Sequence, residues 1–154
     1  MTYSYRTMAA AAALMLTLSA PIAVAQDPIT AGTSGGISGR NVSVSTSGSG
    51  TTDGSSRGVT GGGEASAENG RVRTDSSARL NDRRAIQRST ASARTDDEMA
   101  RSRTRTVVRD GEEVRSRTTS MYRDRDERGP PVRTSECSRG TAAGTVTTDC
   151  RGPN

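Results

Sequence analysis

A shortage of large apolar side chains constrains this chain more than any other feature of its sequence. The 154 residues include no Phe and no Trp, and residues 26–154 contain only 13 Leu, Ile or Val residues. Burying a methylene group stabilises a fold by about 0.8 kcal/mol. Ordering the backbone of one residue costs about 1–2 kcal/mol. The sequence therefore predicts a mostly intrinsically disordered protein with no globular core.

The first 25 residues have the organisation of a secretory signal peptide. Arg6 precedes an apolar run over residues 8–18, and Pro21 follows that run. This order predicts a signal-peptide helix over 1–25. Ala23 and Ala25 form the small-x-small pattern that a signal peptidase recognises, so cleavage is expected between Ala25 and Gln26. An uncleaved anchor is the alternative, because about 20 apolar residues can span a bilayer. After cleavage, no stable membrane span is expected. We expect a bacterial protein exported to the periplasm or the medium.

Composition divides the rest of the chain into three segments. Segment 26–70 is rich in Gly, Ser and Thr, which are 24 of the 33 residues in 31–63, and such a block is expected to be a flexible coil. Segment 71–128 carries 16 Arg and 11 acidic residues, and the whole chain has no Lys. The tail, 129–154, holds both cysteines.

Two local patterns in the arginine-rich segment predict short ordered elements. Fair helix formers and a capping box from Thr95 to Glu98 predict a short helix near 78–101. The Asp110-Gly111 pair between β-favouring residues predicts a β-hairpin around 104–119. Closing the chain at that pair would set Arg109 opposite Glu112 and Val107 opposite Val114. Neither face of such a hairpin is consistently apolar, so alone it would be marginal.

The two cysteines predict a disulfide loop at the C-terminus. Cys137 and Cys150 are the cysteines of the chain, and in an exported protein such a pair most simply forms one bond. Residues 145–148 would form the return strand of the loop. An intermolecular bond, free thiols or a metal site are the alternatives. A zinc site would need carboxylates as well, because the chain has no His.

The sequence argues against an enzyme and predicts no cofactor and no metal. It has no His for general-base work, no Lys for a Schiff base, and no expected core to shift the pKa of a carboxyl group. We expect a non-catalytic interaction or structural polymer of the cell envelope, with an envelope protein as one candidate partner. The alternative is an arginine-rich binder of anionic polymers such as lipopolysaccharide, acidic cell-wall polymers or nucleic acid.

For that alternative, the candidate anion-binding residues are Arg101, Arg103, Arg105, Arg109, Arg115 and Arg117. The 11 acidic residues interleaved in the same segment reduce the expected attraction. Specific recognition of nucleic acid is not expected, because Tyr122 is the single aromatic residue after residue 25 on which a base could stack.

Overall fold

A computed structural model describes residues 27–109 and 112–150, which form nine antiparallel β-strands. No helix occurs in these two ranges. The strands are β1 (Ile29–Ser38), β2 (Val42–Thr52), β3 (Arg57–Ala67), β4 (Arg71–Leu80), β5 (Arg84–Arg94), β6 (Glu98–Arg109), β7 (Glu113–Asp124), β8 (Val132–Thr141) and β9 (Gly144–Asp149).

The strands form two sheets, and within each sheet every strand pairs with the next one along the chain. Strands β1–β3 form a three-stranded sheet, and β4–β9 form a six-stranded sheet in sequence order. The smaller sheet lies face to face on the larger one, with β2 over β5, β6 and β7, and β1 over β7 and β8. The fold is therefore a β-sandwich, in which alternate residues point into the interface between the sheets, most clearly on β2, β5, β6 and β7. Every residue of the edge strand β4 is exposed.

Small side chains fill the space between the sheets. One apolar cluster contains Val42, Val44, Ala91, Ala93 and Ala100. A second cluster at the other end contains Ala31, Ala85, Val108 and Val114. Glycines of β2 bring the sheets close together, because a Cβ atom on Gly48 would lie 2.6 Å from Thr106 Oγ1 and 2.7 Å from Thr104 Cγ2. The sandwich is thin enough for short side chains to close it.

Between the two apolar clusters, the core consists of paired hydroxyl groups. Buried residues directly opposite one another on β6 and β7 form three hydrogen-bonded pairs: Ser102–Ser120 at 2.8 Å, Thr104–Thr118 at 2.6 Å and Thr106–Ser116 at 2.8 Å. The smaller sheet joins this network. The Thr33 hydroxyl lies 2.8 Å from that of Thr118, and the Thr46 hydroxyl lies 2.8 Å from that of Thr104. The hydroxyls thus satisfy one another, which removes most of the cost of burying them.

The prediction of a disordered chain without a globular core is wrong. It counted only large apolar side chains as core material, whereas the buried faces here consist mostly of Ala, Val, Gly, Ser and Thr, together with Gln87 and Glu98. The Gly/Ser/Thr block expected to be a flexible coil forms β1, β2 and β3. The tail forms β8 and β9, in the same larger sheet as the strands of the arginine-rich segment.

The predicted helix near 78–101 is also wrong, because this range covers the end of β4, all of β5 and the start of β6. The hydroxyl of Thr95 does accept a hydrogen bond from the Glu98 amide at 3.0 Å, as in a helix cap. Here that bond closes the turn between β5 and β6, where Thr95 N also donates to Glu98 O at 2.9 Å. The same local contact serves a hairpin instead of a helix.

The predicted hairpin exists as β6 and β7, but its predicted register is wrong by one residue. Arg109 pairs with Glu113, and Val108 pairs with Val114. Since a slip of one residue moves every side chain of a strand to the other face, this difference matters. In the observed register, Val108, Val114 and the hydrogen-bonded Ser and Thr pairs point inward, whereas every Arg of both strands points outward.

Glu98 joins the two sheets at one end of the sandwich. Its side chain is only 3% exposed. Its carboxylate accepts hydrogen bonds from the backbone amides of Arg40 at 3.0 Å and Asn41 at 2.7 Å, in the turn between β1 and β2. It also accepts one from the Tyr122 hydroxyl at 2.6 Å. The Tyr122 hydrogen bond and the two amides hold the pKa of Glu98 below its usual range, against the opposing effect of burial.

The disulfide between Cys137 and Cys150 is confirmed, with a Cα–Cα distance of 5.3 Å. It joins β8 to the residue after β9, and the Ser135 hydroxyl donates to the Cys150 carbonyl at 2.9 Å. The predicted return strand at 145–148 is confirmed as part of β9. The bond therefore holds β9 on the edge of the larger sheet.

The predicted signal peptide and its cleavage residues Ala23, Ala25 and Gln26 lie outside the described residues. Across 27–109 and 112–150, no helix has the length and apolar character needed to cross a membrane.

Candidate anion-binding face

The outer face of the six-stranded sheet carries every arginine of its strands. Alternation places Ser102, Thr104 and Thr106 inside, so the arginines between them on β6 lie outside. Residues that pair directly on neighbouring strands point to the same side of the sheet, so the pairing also identifies the outward arginines of the other strands. The outward arginines are Arg71, Arg73 and Arg79 on β4, Arg84, Arg88 and Arg94 on β5, Arg101, Arg103, Arg105 and Arg109 on β6, Arg115, Arg117 and Arg123 on β7, and Arg133 and Arg139 on β8. We call this surface the arginine face.

Pairing between strands aligns the guanidinium groups in rows. Arg88, Arg105 and Arg117 are direct partners on three successive strands, so their Cα atoms lie about 5 Å apart. Along β6, alternate residues such as Arg103 and Arg105 lie about 7 Å apart. The sheet thus holds a regular lattice of positive charge that no single strand could present.

Seven of these arginines line one shallow groove of about 920 Å³. They are Arg88, Arg103, Arg105, Arg109, Arg115, Arg117 and Arg139. Val107 and Val146 contribute apolar surface, and Cys137 of the disulfide also lines the groove. A groove with several guanidinium groups is suited to an anion with several charges, because each group can donate two parallel hydrogen bonds to a phosphate or carboxylate.

Acidic side chains balance little of this charge. Among the described side chains of these strands, register places Asp75 and Glu113 on the arginine face. Glu113 is 15% exposed, and Arg115 Nε lies 2.7 Å from its carboxylate, which Arg139 also contacts. These hydrogen bonds, Arg115 first, hold the pKa of Glu113 below its usual range although burial opposes them. Glu113 therefore fixes two arginines and leaves the other five in the groove without an ion pair to it.

All six candidate residues from the sequence lie on the arginine face. Arg101, Arg103, Arg105 and Arg109 are on β6, and the other two, Arg115 and Arg117, are on β7. The structure brings five of them into the groove, while Arg101 lies beyond it along β6. Whether they bind an anion stays a prediction.

The sequence reasoning missed Arg88 and Arg139 in the groove. Arg88 lay in the segment that was predicted to be helical, and Arg139 lay in the predicted loop. The signal that could have found them is the two-residue alternation of a β-strand. Arg84, Arg88 and Arg94 all fall on even positions, with Ala85, Ala91 and Ala93 on odd ones.

The remaining carboxylates do not form another site. Asp53 lies in the turn between β2 and β3, where hydrogen bonds from Ser56 and Ser55 lower the pKa of its carboxyl group. Glu98 is occupied by its three donors. Within 27–109 and 112–150, no three Cys, Asp or Glu side chains cluster in a way that could hold a metal ion.

The fold and its outer surface define an antiparallel β-sandwich with one arginine-rich face. Comparison of the chain with protein-family models, with curated proteins and with solved structures finds no match. Its function must therefore be argued from the arginine face itself.

Proposed function

We propose that this protein is a non-catalytic, exported interaction protein that binds anionic polymers on its arginine face. The main support for this function is the segregation of charge, because 15 arginines and two described carboxylates share one side of one sheet. Phosphate, sulfate or carboxylate groups repeated along a polymer would match rows of arginines repeated at about 5 and 7 Å.

Repulsion between the arginines supports this function. Two unit charges about 5 Å apart repel by roughly 0.8 kcal/mol in water, and physiological salt screens them over about 8 Å. The five groove arginines that do not pair with Glu113 therefore raise the energy of the folded protein when no anion is present. A bound polyanion removes this repulsion, so it should bind the folded state and stabilise it.

Export supports the choice of polymer. The disulfide favours an oxidising compartment, and the sequence predicts a signal peptide. In the periplasm or outside a bacterium, the accessible polyanions are lipopolysaccharide, acidic cell-wall polymers and released nucleic acid. For nucleic acid, the described part of the arginine face offers no aromatic side chain for stacking, since Tyr122 contacts the inner cluster. Contacts to phosphate alone would not read a base sequence.

Salt-dependent retention on immobilised heparin tests this function. The double variant Arg105→Gln/Arg117→Gln removes two adjacent arginines of the groove. The control Arg83→Gln/Arg128→Gln removes the same charge from exposed turns. We expect the groove variant to lower the slope of log affinity against log salt by about two, because each lost contact to a phosphate or sulfate lowers it by about one. The control should change it much less. Equal losses in both would show that net charge alone drives retention, and would refute a site on the arginine face.

A further inference from the structure

The outer face of the smaller sheet is the chemical opposite of the arginine face. Its rows across β1, β2 and β3 contain only Gly, Ser and Thr, apart from one Glu. The five rows are Thr30–Thr51–Gly58, Gly32–Ser49–Thr60, Ser34–Ser47–Gly62, Gly36–Ser45–Glu64 and Ser38–Ser43–Ser66. We call this surface the hydroxyl face. Ser45, Ser47 and Ser49 along its centre are exposed.

Glycine alternates from one edge of the hydroxyl face to the other. Each of the first four rows has one glycine, and these are Gly58 on β3, Gly32 on β1, Gly62 on β3 and Gly36 on β1. Where a glycine stands, the surface is lower. A depression of about 550 Å³ lies over Gly36 and Gly62. The face is therefore a central serine ridge with staggered hollows on both sides.

We propose that the hydroxyl face binds the same face of a second copy of this chain, related by a twofold axis parallel to the strands. Such an axis lays β1 of one copy over β3 of the other, row by row, and lays β2 over β2. Every glycine then meets a larger residue: Gly58 meets Thr30, Gly32 meets Thr60, Gly62 meets Ser34, and Gly36 meets Glu64. The hollows of each copy receive the side chains of the other.

An axis across the strands gives such a match only between the second and third rows, where Gly62 would meet Thr60 and Gly32 would meet Ser34. Taken through the central row, it would set Gly62 on Gly62 and Gly32 on Gly36, with Thr60 facing Glu64. Since packed sheets turn by about 30° relative to each other, the match is closest in the central rows. The axis parallel to the strands is the one that pairs all five rows, because the matching axis across the strands leaves the row Ser38–Ser43–Ser66 without a partner row.

Charge also selects this face for self-association. Two arginine faces would repel each other, whereas the three strands of the hydroxyl face carry Glu64 there, and Glu136 of β8 lies beside Gly32 at its edge. Under the proposed axis the two Glu64 side chains lie at opposite edges of the interface. The interior of the protein already uses the same chemistry, since Thr33 and Thr46 bind hydroxyls of the facing sheet. A second copy can repeat that packing outside.

The size of the face predicts a weak dimer. Three strands about 4.8 Å apart and five rows about 6.8 Å apart cover roughly 500 Å² per copy. The total, about 1,000 Å², is at the lower end of specific interfaces. The dimer would present two arginine faces in opposite directions, so one dimer could join two polyanions or bind one of them at two places.

Sedimentation velocity over a range of protein concentrations tests the dimer, and Gly62 provides the sharpest variant. A Cβ atom on Gly62 meets nothing within 4 Å in the monomer, so Gly62→Thr should leave the fold intact and fill the hollow that receives Ser34. We expect reversible dimers of the unmodified protein, and a dissociation constant raised about tenfold or more in Gly62→Thr.

A compensating variant and a matched control complete the experiment. In Ser34→Gly/Gly62→Thr the hollow moves to the other strand, so dimerisation should return. Gly129 also has open space around its Cβ position, and Gly129→Thr should dimerise like the unmodified protein. A protein that stays monomeric at about 1 mM would refute the dimer. If Gly62→Thr leaves dimerisation unchanged, the hydroxyl face is not the interface. If the double variant does not restore dimerisation, the proposed axis is refuted. Heparin retention of the variants is expected to be unaffected at low protein concentration, which separates this inference from the proposed function.

Discussion

Replacing Glu98 by Gln should destabilise the protein strongly, because both oxygens of the buried carboxylate are in use. Oε1 accepts from Arg40 N and the Tyr122 hydroxyl, and Oε2 accepts from Asn41 N. A Gln amide has one acceptor oxygen, so its NH2 group must face a donor. The variant loses one charge-assisted hydrogen bond, worth about 1.5–3 kcal/mol, and leaves a buried donor unsatisfied at a further cost of about 1–3 kcal/mol. Allowing for partial relaxation, we expect the free energy of unfolding to fall by about 2–4 kcal/mol.

The pH dependence distinguishes this contact from simple packing. The pKa of Glu98 is lowered in the folded state from an ordinary value of 4.5. Its stabilising contribution is therefore complete above the unfolded pKa and is lost as the pH falls through the folded pKa. The difference between the two proteins should be largest near neutral pH and should shrink in acid. The pKa of Tyr122, which Glu98 and burial raise to about 12, should return toward 10 in the variant.

Denaturant unfolding followed by circular dichroism measures the first effect, and the NMR titration of Tyr122 measures the second. Glu112→Gln, in the exposed turn before β7, is the control and should change stability by less than about 0.5 kcal/mol. If the free energies of unfolding of Glu98→Gln and the unmodified protein differ by less than about 0.5 kcal/mol, which is the effect of a surface substitution, the contacts of Glu98 do not hold the two sheets together.

Three further substitutions or treatments test other parts of the fold. Gly39→Ala should lower the free energy of unfolding by about 1–3 kcal/mol in denaturant, because its Cβ would lie 2.1 Å from the Tyr122 ring, which Glu98 holds in place. An unchanged denaturation midpoint would contradict that packing. Thr104→Val should cost about 1–3 kcal/mol by leaving Thr118 without one partner, whereas Thr104→Val/Thr118→Val should recover part of the loss; additive losses would argue against the hydroxyl pair. Reduction of the disulfide should cost about 3 kcal/mol and should speed hydrogen exchange in β9 more than in β6; uniform changes in both strands would argue against a local role for the bond.

The sequence predicted the elements that depend on local chemistry. The Asp-Gly turn located the hairpin, and the cysteine spacing located the disulfide and its return strand. The register of the hairpin needed one more fact, namely which face would be buried. Pairing Val108 with Val114 puts both valines inside, but this is a choice among registers that the turn residues alone do not make.

The core escaped prediction because its buried residues are hydroxylic. From Arg101 to Thr106, arginine alternates with Ser or Thr, which is the period of a strand. A reading that classes Ser and Thr with Arg as polar sees no alternation there. Their burial depends on partners from distant strands, such as Thr33 for Thr118. The sequence does not show that those partners meet, so the folding of this segment could not be derived from composition.

The fold also separates the opposite charges that are interleaved in the sequence. In sequence, 11 acidic residues interleave with 16 arginines over 71–128, which suggests that the two signs cancel. In the structure most of these acids lie at the ends of the sheet, in the turns that contain Asp82, Asp96, Asp97, Glu112, Asp126 and Glu127. The strands between the turns hold 13 of these 16 arginines, and alternation sends all 13 to one side. Average charge therefore underestimates the arginine face, because the alternation that buries the hydroxyls also separates the arginines from the acids.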